Sequence, residues 1–383
     1  MAIEFTPSQR AAIYDRGRSV LVSAAAGSGK TRVLTERLMA YVSDADDPKD
    51  IDSFLIITYT RAAAAELRGR ILSELMARSA AEPGNRRLRR QANLCCRAQI
   101  GTIHSFCTQI LRENAHSVGL PPDFRVLDGD RAETMAERCC EQVLEEAYDA
   151  MQPGFRALVD TVGAGRDDSR LARMVLTLHD KMQTHPDPAL WAREQEKALS
   201  PECGDASETV WGEYLLSRAA DAANYWAAEM DKLVAAMAAP GLEKLQKAYS
   251  ASIEDTALAL RDLARSASEG WDELRARLPV PFPRLGALRG SPDTKLSDHI
   301  KARRDSCKKA MDKLAKQFSA PSSELLRAMR AMAPAMTSLL ELTLRFSERF
   351  SAEKRRRGGV DFSDLEHLAL KLLVSPDGEP TEL

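Results

Sequence analysis

The stretch VSAAAGSGKT, Val22 to Thr31, constrains what this chain can fold into more than any other. An apolar run, SVLVSA at 19–24, leads into Gly27-Ser28-Gly29-Lys30-Thr31, and RVLTERLMAYV follows with helical spacing. Strand, glycine turn, lysine, hydroxyl residue and helix together form the grammar of a phosphate-binding loop. Each part has a physical task. Glycines let backbone N–H groups converge on phosphate oxygens, and the helix N-terminus adds partial positive charge. A lysine at position 30 reaches the outer phosphates of a nucleotide, and the Thr31 hydroxyl is placed to hold Mg²⁺. The strict pattern asks for glycine where Ala24 stands, so the competing reading is a helix-friendly run that happens to end in GKT. Strand-like and helix-like context on the two sides favours the cradle. Upstream, FTPSQRAAI carries Gln9, whose amide has the paired donor and acceptor that can read an adenine edge.

Around this loop, residues 1–125 alternate strand and helix. SVLVSA (19–24), FLIITYT (54–60) and AQIGTI (98–103) are short β-branched runs with helical patterns between them, which predicts an α/β layer with a parallel sheet. From 126 to 355 the texture becomes helix after helix, with apolar residues at three-to-four spacing and no strand-like run. HPDPAL and LPVPFPRL read as loops, and Pro334 predicts a kink or a helix boundary. Residues 356–383 open with a glycine pair and VDFSDLEHLALKLL, a helix that Asp361 or Ser363 can cap, with Glu366 as the capping-box partner of Ser363. The chain then stops at TEL, where another helix would begin, which reads as an interruption.

Net charge is −2 and decides nothing about partners, but residues 53–112 hold 10 Lys+Arg against 3 Asp+Glu. Nucleic acid is one reason to gather arginine like this, and a solvated helix face is another. The same two readings apply to the cluster Arg86, Arg87, Arg89 and Arg90, and to the run Lys354–Arg357. Seven cysteines without a CxxC spacing fit free thiols in a reducing compartment rather than disulfides or zinc. The N-terminus lacks the basic and apolar regions of a signal peptide, and no apolar run suffices for a membrane span. A cytoplasmic protein is expected.

Three further stretches extend the loop into a series: ITYTRAAAAELRGRI (57–71), IGTIHSFCTQILRE (100–113) and VDFSDLEHLALKLL (360–373). With the Gln9 segment and SAAAGSGKT, this series resembles superfamily I DNA helicases of the UvrD/Rep type. Within them it is most similar to the AddA group, which belongs to the bacterial helicase–nucleases. In that family the loop commonly reads A-x-A-G-S-G-K-T, so Ala24 fits it. The resemblance implies a RecA-like P-loop motor domain interrupted by a large all-helical insertion. Residues 1–125 would be the first part of the motor, 126–355 the insertion, and 356–383 the return to the motor.

The resemblance also implies roles. Gln9 would contact adenine, and Ala24, Ala25, Ala26, Gly27, Ser28, Gly29, Lys30, Thr31 and Arg32 would wrap ATP, with Lys30 and Thr31 serving catalysis and Thr31 holding Mg²⁺. Tyr59, Thr60 and Arg61 lie where the family touches single-stranded DNA, and an aromatic there can stack on any base. Arg61 stands where family members often have asparagine. Thr102 and His104 match a further DNA-contacting motif, and Asp361 and Phe362 match the third. Each has a plain structural alternative: strand-end packing for Tyr59, a satisfied structural imidazole for His104. The expected function is an ATP-dependent 3′-to-5′ DNA helicase subunit of a helicase–nuclease in double-strand break repair and recombination. Its partners would be single-stranded and duplex DNA and a B-type helicase–nuclease protein. The alternatives are a helicase without nuclease, and a DNA-binding assembly subunit with an incomplete motor. A strand ending in acidic residues, needed to hold Mg²⁺ and orient water, is not found in the sequence. The resemblance implies that it follows Leu383, so the chain alone is expected to hydrolyse ATP poorly.

Overall fold

The computed structural model describes residues 4–162, 169–199, 202–288 and 294–383. By its internal contacts the chain divides into one unit of residues 1–133 with 352–383, and a second of residues 134–351.

In the first unit α1 (Pro7–Tyr14) and α2 (Lys30–Val42) precede β1 (Leu55–Thr58), α3 (Arg61–Ala81), α4 (Arg86–Leu94), β2 (Gln99–Thr102) and α5 (Ile103–Glu113). β1 and β2 pair in parallel, with Ile56 opposite Ile100 and Thr58 opposite Thr102. Period-two alternation sorts their side chains. Ile56 and Ile100 are buried with Leu67, Ile71 and Leu75 of α3 and with Leu38, Met39 and Val42 of α2. Each such side chain is worth ~2 kcal/mol of apolar burial. On the opposite face Leu55 and Ile57 stay half exposed. β3 (Arg125–Val126) closes this part of the chain.

The second unit is helical in its described residues. Into it run α6 (Gly129–Ala150), then α7 (Pro153–Val162), α8 (Ser169–Met182), α9 (Pro188–Leu199), α10 (Val210–Met237), α11 (Glu243–Ser266), α12 (Trp271–Ala276), α13 (Thr294–Gln317) and α14 (Ser322–Arg356). α10 and α11 form an antiparallel pair over a core of Ala219, Ala223, Ala227, Met230, Ile253 and Leu260, joined by Trp271, Ile300 and Met311. The small alanines let the two backbones approach, and the period of three to four puts them on one stripe. Pro334 lies inside α14 and ends no helix. There Gly154 of α7 comes so close that a Cβ on it would lie 3.3 Å from the Pro334 carbonyl oxygen.

From α14 the chain returns to the first unit through β4 (Gly359–Val360) and α15 (Phe362–Leu373). β4 pairs in parallel with β3, Arg125 opposite Gly359 and Val126 opposite Val360. Gly359 is required, because a Cβ would sit 2.8 Å from Leu127. α15 buries Leu365, Ala369 and Leu372 with Cys107 and Leu111 of α5.

Two expectations are corrected. The run 19–24 is extended but pairs with no strand among the described residues, and Leu21 is 97% exposed. Its β-branched, apolar character reads as a strand, but a strand exists only through a partner's hydrogen bonds. The cap of α15 is Asp361, and its box partner is Asp364 rather than Glu366. A side chain at the third helical position reaches back to the cap N–H, and with Asp361 as cap that position is Asp364.

Candidate functional site

The phosphate-loop sequence folds into a turn with two left-handed glycines, Gly27 at φ 78° and Gly29 at φ 83°. Residues with a Cβ are strained there. α2 begins at Lys30 with Gly29 as its cap and no side-chain hydrogen bond to its first N–H groups. Its opening turn therefore keeps unsatisfied donors and the positive end of the helix dipole. The Lys30 ammonium donates to the carbonyls of Ala24 at 2.7 Å and Ala25 at 2.8 Å, folded back along the loop. Ser28 closes the turn by donating Oγ–H to Ala25 O at 2.8 Å. Thr31 lies in the first turn of α2, and the Arg32 guanidinium sits 5.8 Å from the centre of the Phe5 ring.

Gln9 joins the loop to the N-terminal helix. Its Oε1 accepts from the Thr6 N–H at 2.9 Å, and its Nε2 donates to Ser28 O at 3.2 Å. The same side chain thus completes the cap of α1 and touches the turn. Nothing stands within 4 Å of a Cβ built on Gly27, so the concave side is open. Glycine turn, exposed N–H groups, ammonium and hydroxyl together fit the triphosphate and Mg²⁺ of ATP. The residues that would hold them are Ala24–Thr31 with Gln9.

A second cluster forms where β1 and β2 end side by side. Each strand passes directly into a helix capped by a threonine. Thr60 accepts from Ala63 N–H at 3.1 Å at the start of α3, and Thr102 from Ser105 N–H at 3.2 Å at the start of α5. Parallel register brings these two helix N-termini to one edge. Tyr59 projects between strand and helix with its side chain fully exposed. Arg61 is exposed at the first position of α3. His104, in the first turn of α5, meets α15: its Nε2 is 3.1 Å from Glu366 Oε1, and its ring centre is 4.6 Å from that of Phe362.

Asp361 is near this cluster in sequence but is committed locally. Its Oδ1 accepts from Asp364 N–H at 2.8 Å, and its Oδ2 from the Lys354 ammonium at 2.6 Å. Lys354, only 5% exposed in its side chain, also lies 2.7 Å from Asp364. The inward lysine of the KRRR run is therefore an internal counter-ion. Arg356 and Arg357 both reach Glu353, and their hydrogen bonds push its carboxyl down to about 2. The arginine cluster of α4 is likewise engaged. Arg87 donates to the carbonyls of Val42 and Lys49 and, with Arg90, meets Asp50; Arg89 donates to Pro83 O. Gln91, fully buried, donates to Asp50 Oδ1 at 2.6 Å and accepts from Ile51 N–H at 2.8 Å. This face pins the segment before β1, a role that arginine counting does not reveal.

Sequence reasoning passed over Glu366 as a site residue, Lys354 as a buried one, and Gln91 altogether. For Glu366 one signal existed: it lies four residues after Phe362 and so shares its helix face.

These features, a glycine phosphate loop and threonine-capped strand ends on one unit, agree with what the family comparison finds. A model of the UvrD/REP helicase N-terminal domain matches residues 5–381, and the chain belongs to that family. Among curated proteins it is similar to AddA, the larger-named component of the ATP-dependent helicase/nuclease, from Geobacillus thermodenitrificans, 38% identical over 99% of this chain and 31% of the relative. The proteins of the same name from Acetivibrio thermocellus and Geobacillus kaustophilus are 32% and 36% identical, over 97% and 99% of the chain. The chain spans about a third of the length of these relatives (31%, 30% and 31%). No helix among the described residues is long and apolar enough to cross a membrane, and none of them form a cluster of three or more metal-ligating side chains.

Proposed function

We propose that this chain is the ATP-binding and first DNA-binding part of a 3′-to-5′ DNA helicase subunit. It would work in a helicase–nuclease of double-strand break repair and recombination, beside a B-type partner in the cytoplasm. The observation that carries this reading is the uncapped N-terminus of α2 behind two left-handed glycines, with Lys30 at its first position. The first unit is then the motor portion with a RecA-like arrangement, and the helical unit its insertion.

In this reading the loop binds and orients. Backbone N–H groups of Gly27 to Arg32 surround the phosphates, and Lys30 exchanges the Ala24 and Ala25 carbonyls for phosphate oxygens. Thr31 holds Mg²⁺, and Gln9 meets the adenine edge while its contact with Ser28 ties the base site to the turn. ATP supplies the phosphoanhydride whose cleavage drives movement. DNA lies along the strand ends: Tyr59 stacks on a base, while Thr60, Arg61 and Thr102 with their helix N-termini take phosphates without reading sequence. His104 and Phe362 extend that surface, and Asp361 serves it by capping α15. The acidic pair Asp361 and Asp364 is neutralised by Lys354, so it does not supply the Mg²⁺-holding strand end.

The test is Lys30→Ala in the full-length protein. ATPase and unwinding are expected to disappear while binding to single-stranded DNA persists. Unwinding that survives the substitution would refute the loop assignment.

A further inference from the structure

Phe362 and Glu366 stand four residues apart on α15, which places them on one helix face. Both reach the same side chain, His104 of α5: Glu366 through its carboxylate at 3.1 Å, Phe362 through a ring contact at 4.6 Å and 37°. None of the three belongs to a core. The side chains of His104 and Glu366 are 37% and 47% exposed, and Phe362 is 46% exposed. An exposed ion pair of this kind adds little to stability. A carboxylate beside a phosphate-binding edge also works against DNA on charge alone. What the contact does accomplish is to restrict the imidazole. A hydrogen bond from Nε2 to the carboxylate selects the tautomer and ring orientation, and leaves Nδ1 for another partner. Phe362 covers one ring face.

We propose that Glu366 is a positioning residue for DNA binding, which together with Phe362 locks the His104 imidazole at the end of β2 in the orientation that meets the nucleic-acid backbone. This rests on the reading of His104 as a DNA contact. It makes α15, the helix formed after the chain returns from the helical unit, part of the DNA site without requiring Glu366 to touch DNA.

The sign of one mutation separates positioning from charge. In the intact protein, Glu366→Ala is expected to weaken binding of a fluorescent oligo-dT about fivefold, the factor that accompanies loss of one hydrogen bond of ordinary net worth. Glu366→Gln keeps an acceptor and is expected to restore binding. The double variant Glu366→Ala with His104→Ala should bind no more weakly than His104→Ala alone, because both act through one ring. Nitrogen-detected NMR should show His104 protonated at Nε2 in the parent and in Glu366→Gln, and mixed tautomers in Glu366→Ala. If Glu366→Ala binds as well as or tighter than the parent while His104→Ala weakens binding, the positioning role is overturned and the DNA reading stands. If His104→Ala binds like the parent, the reading of His104 fails and this proposal falls with it.

Discussion

Lys354 shows how a single side chain can reverse the meaning of a charge run. In sequence KRRR offers four cations to solvent or phosphate, yet Lys354 turns inward and lies between Asp361 and Asp364 at 2.6 and 2.7 Å. Replacing it by methionine would leave two carboxylates facing each other at the cap of α15. Breaking one side of a buried pair costs about 3 kcal/mol, so Lys354→Met should lower the urea midpoint of the first unit accordingly. An unchanged midpoint would mean that the cap is held by the reciprocal Asp361–Asp364 hydrogen bonds alone. The inward turn was not legible, because nothing in KRRR says which residue of a helix end faces the core. By contrast, the glycines and Lys30 of the loop were legible, since their task is local: φ angles, a helix start, one ammonium.

At the scale of elements, what could be read depended on whether an element makes its own bonds. Helices satisfy their backbone internally, so the three-to-four patterns of α10, α11 and α14 announce themselves. Strands borrow their bonds from elsewhere. The runs around β1 and β2 find each other, whereas the equally apolar run at 19–24 finds no partner among the described residues. The two-residue pair β3 and β4 carries too little pattern to notice. Helix packing also sets thiol chemistry. Burial pushes the thiol of Cys140 on α6 up to about 11 and that of Cys307 on α13 up to about 12. Thiolate is the reactive form, so at pH 8 only about a thousandth or less of either thiol is ionised. Cys96, exposed just after α4, should be alkylated by iodoacetamide well before them in the folded protein. Mass spectrometry of time points checks the order, and early labelling of Cys307 would contradict the packing of α13.

At the scale of the whole molecule, the site was legible as a set of motifs but not as a set of contacts. Thr60 and Thr102 could be chosen from sequence, and parallel register explains why they end up together. That Gln9 reaches Ser28, or Glu366 reaches His104, depends on distances no spacing encodes. The candidate site has no free acidic strand end among the described residues, and this has a direct consequence. The 383-residue chain by itself should bind ATP without DNA-stimulated turnover, measured by phosphate release with and without oligo-dT. Turnover well above background would require carboxylates other than Asp361 and Asp364.

The short ladder between β3 and β4 fastens the outgoing chain to the returning one: Leu127 N–H donates to Val360 O at 2.8 Å, and Arg125 N–H to Gly358 O at 3.0 Å. Once those ends are joined, the entropy of whatever is strung between them grows only with the logarithm of its length, by about 0.6 kcal/mol per doubling. The nucleotide-binding unit thus carries a socket. Helices plugged into it can be lengthened, trimmed or exchanged at little thermodynamic cost to the loop and strand ends beneath.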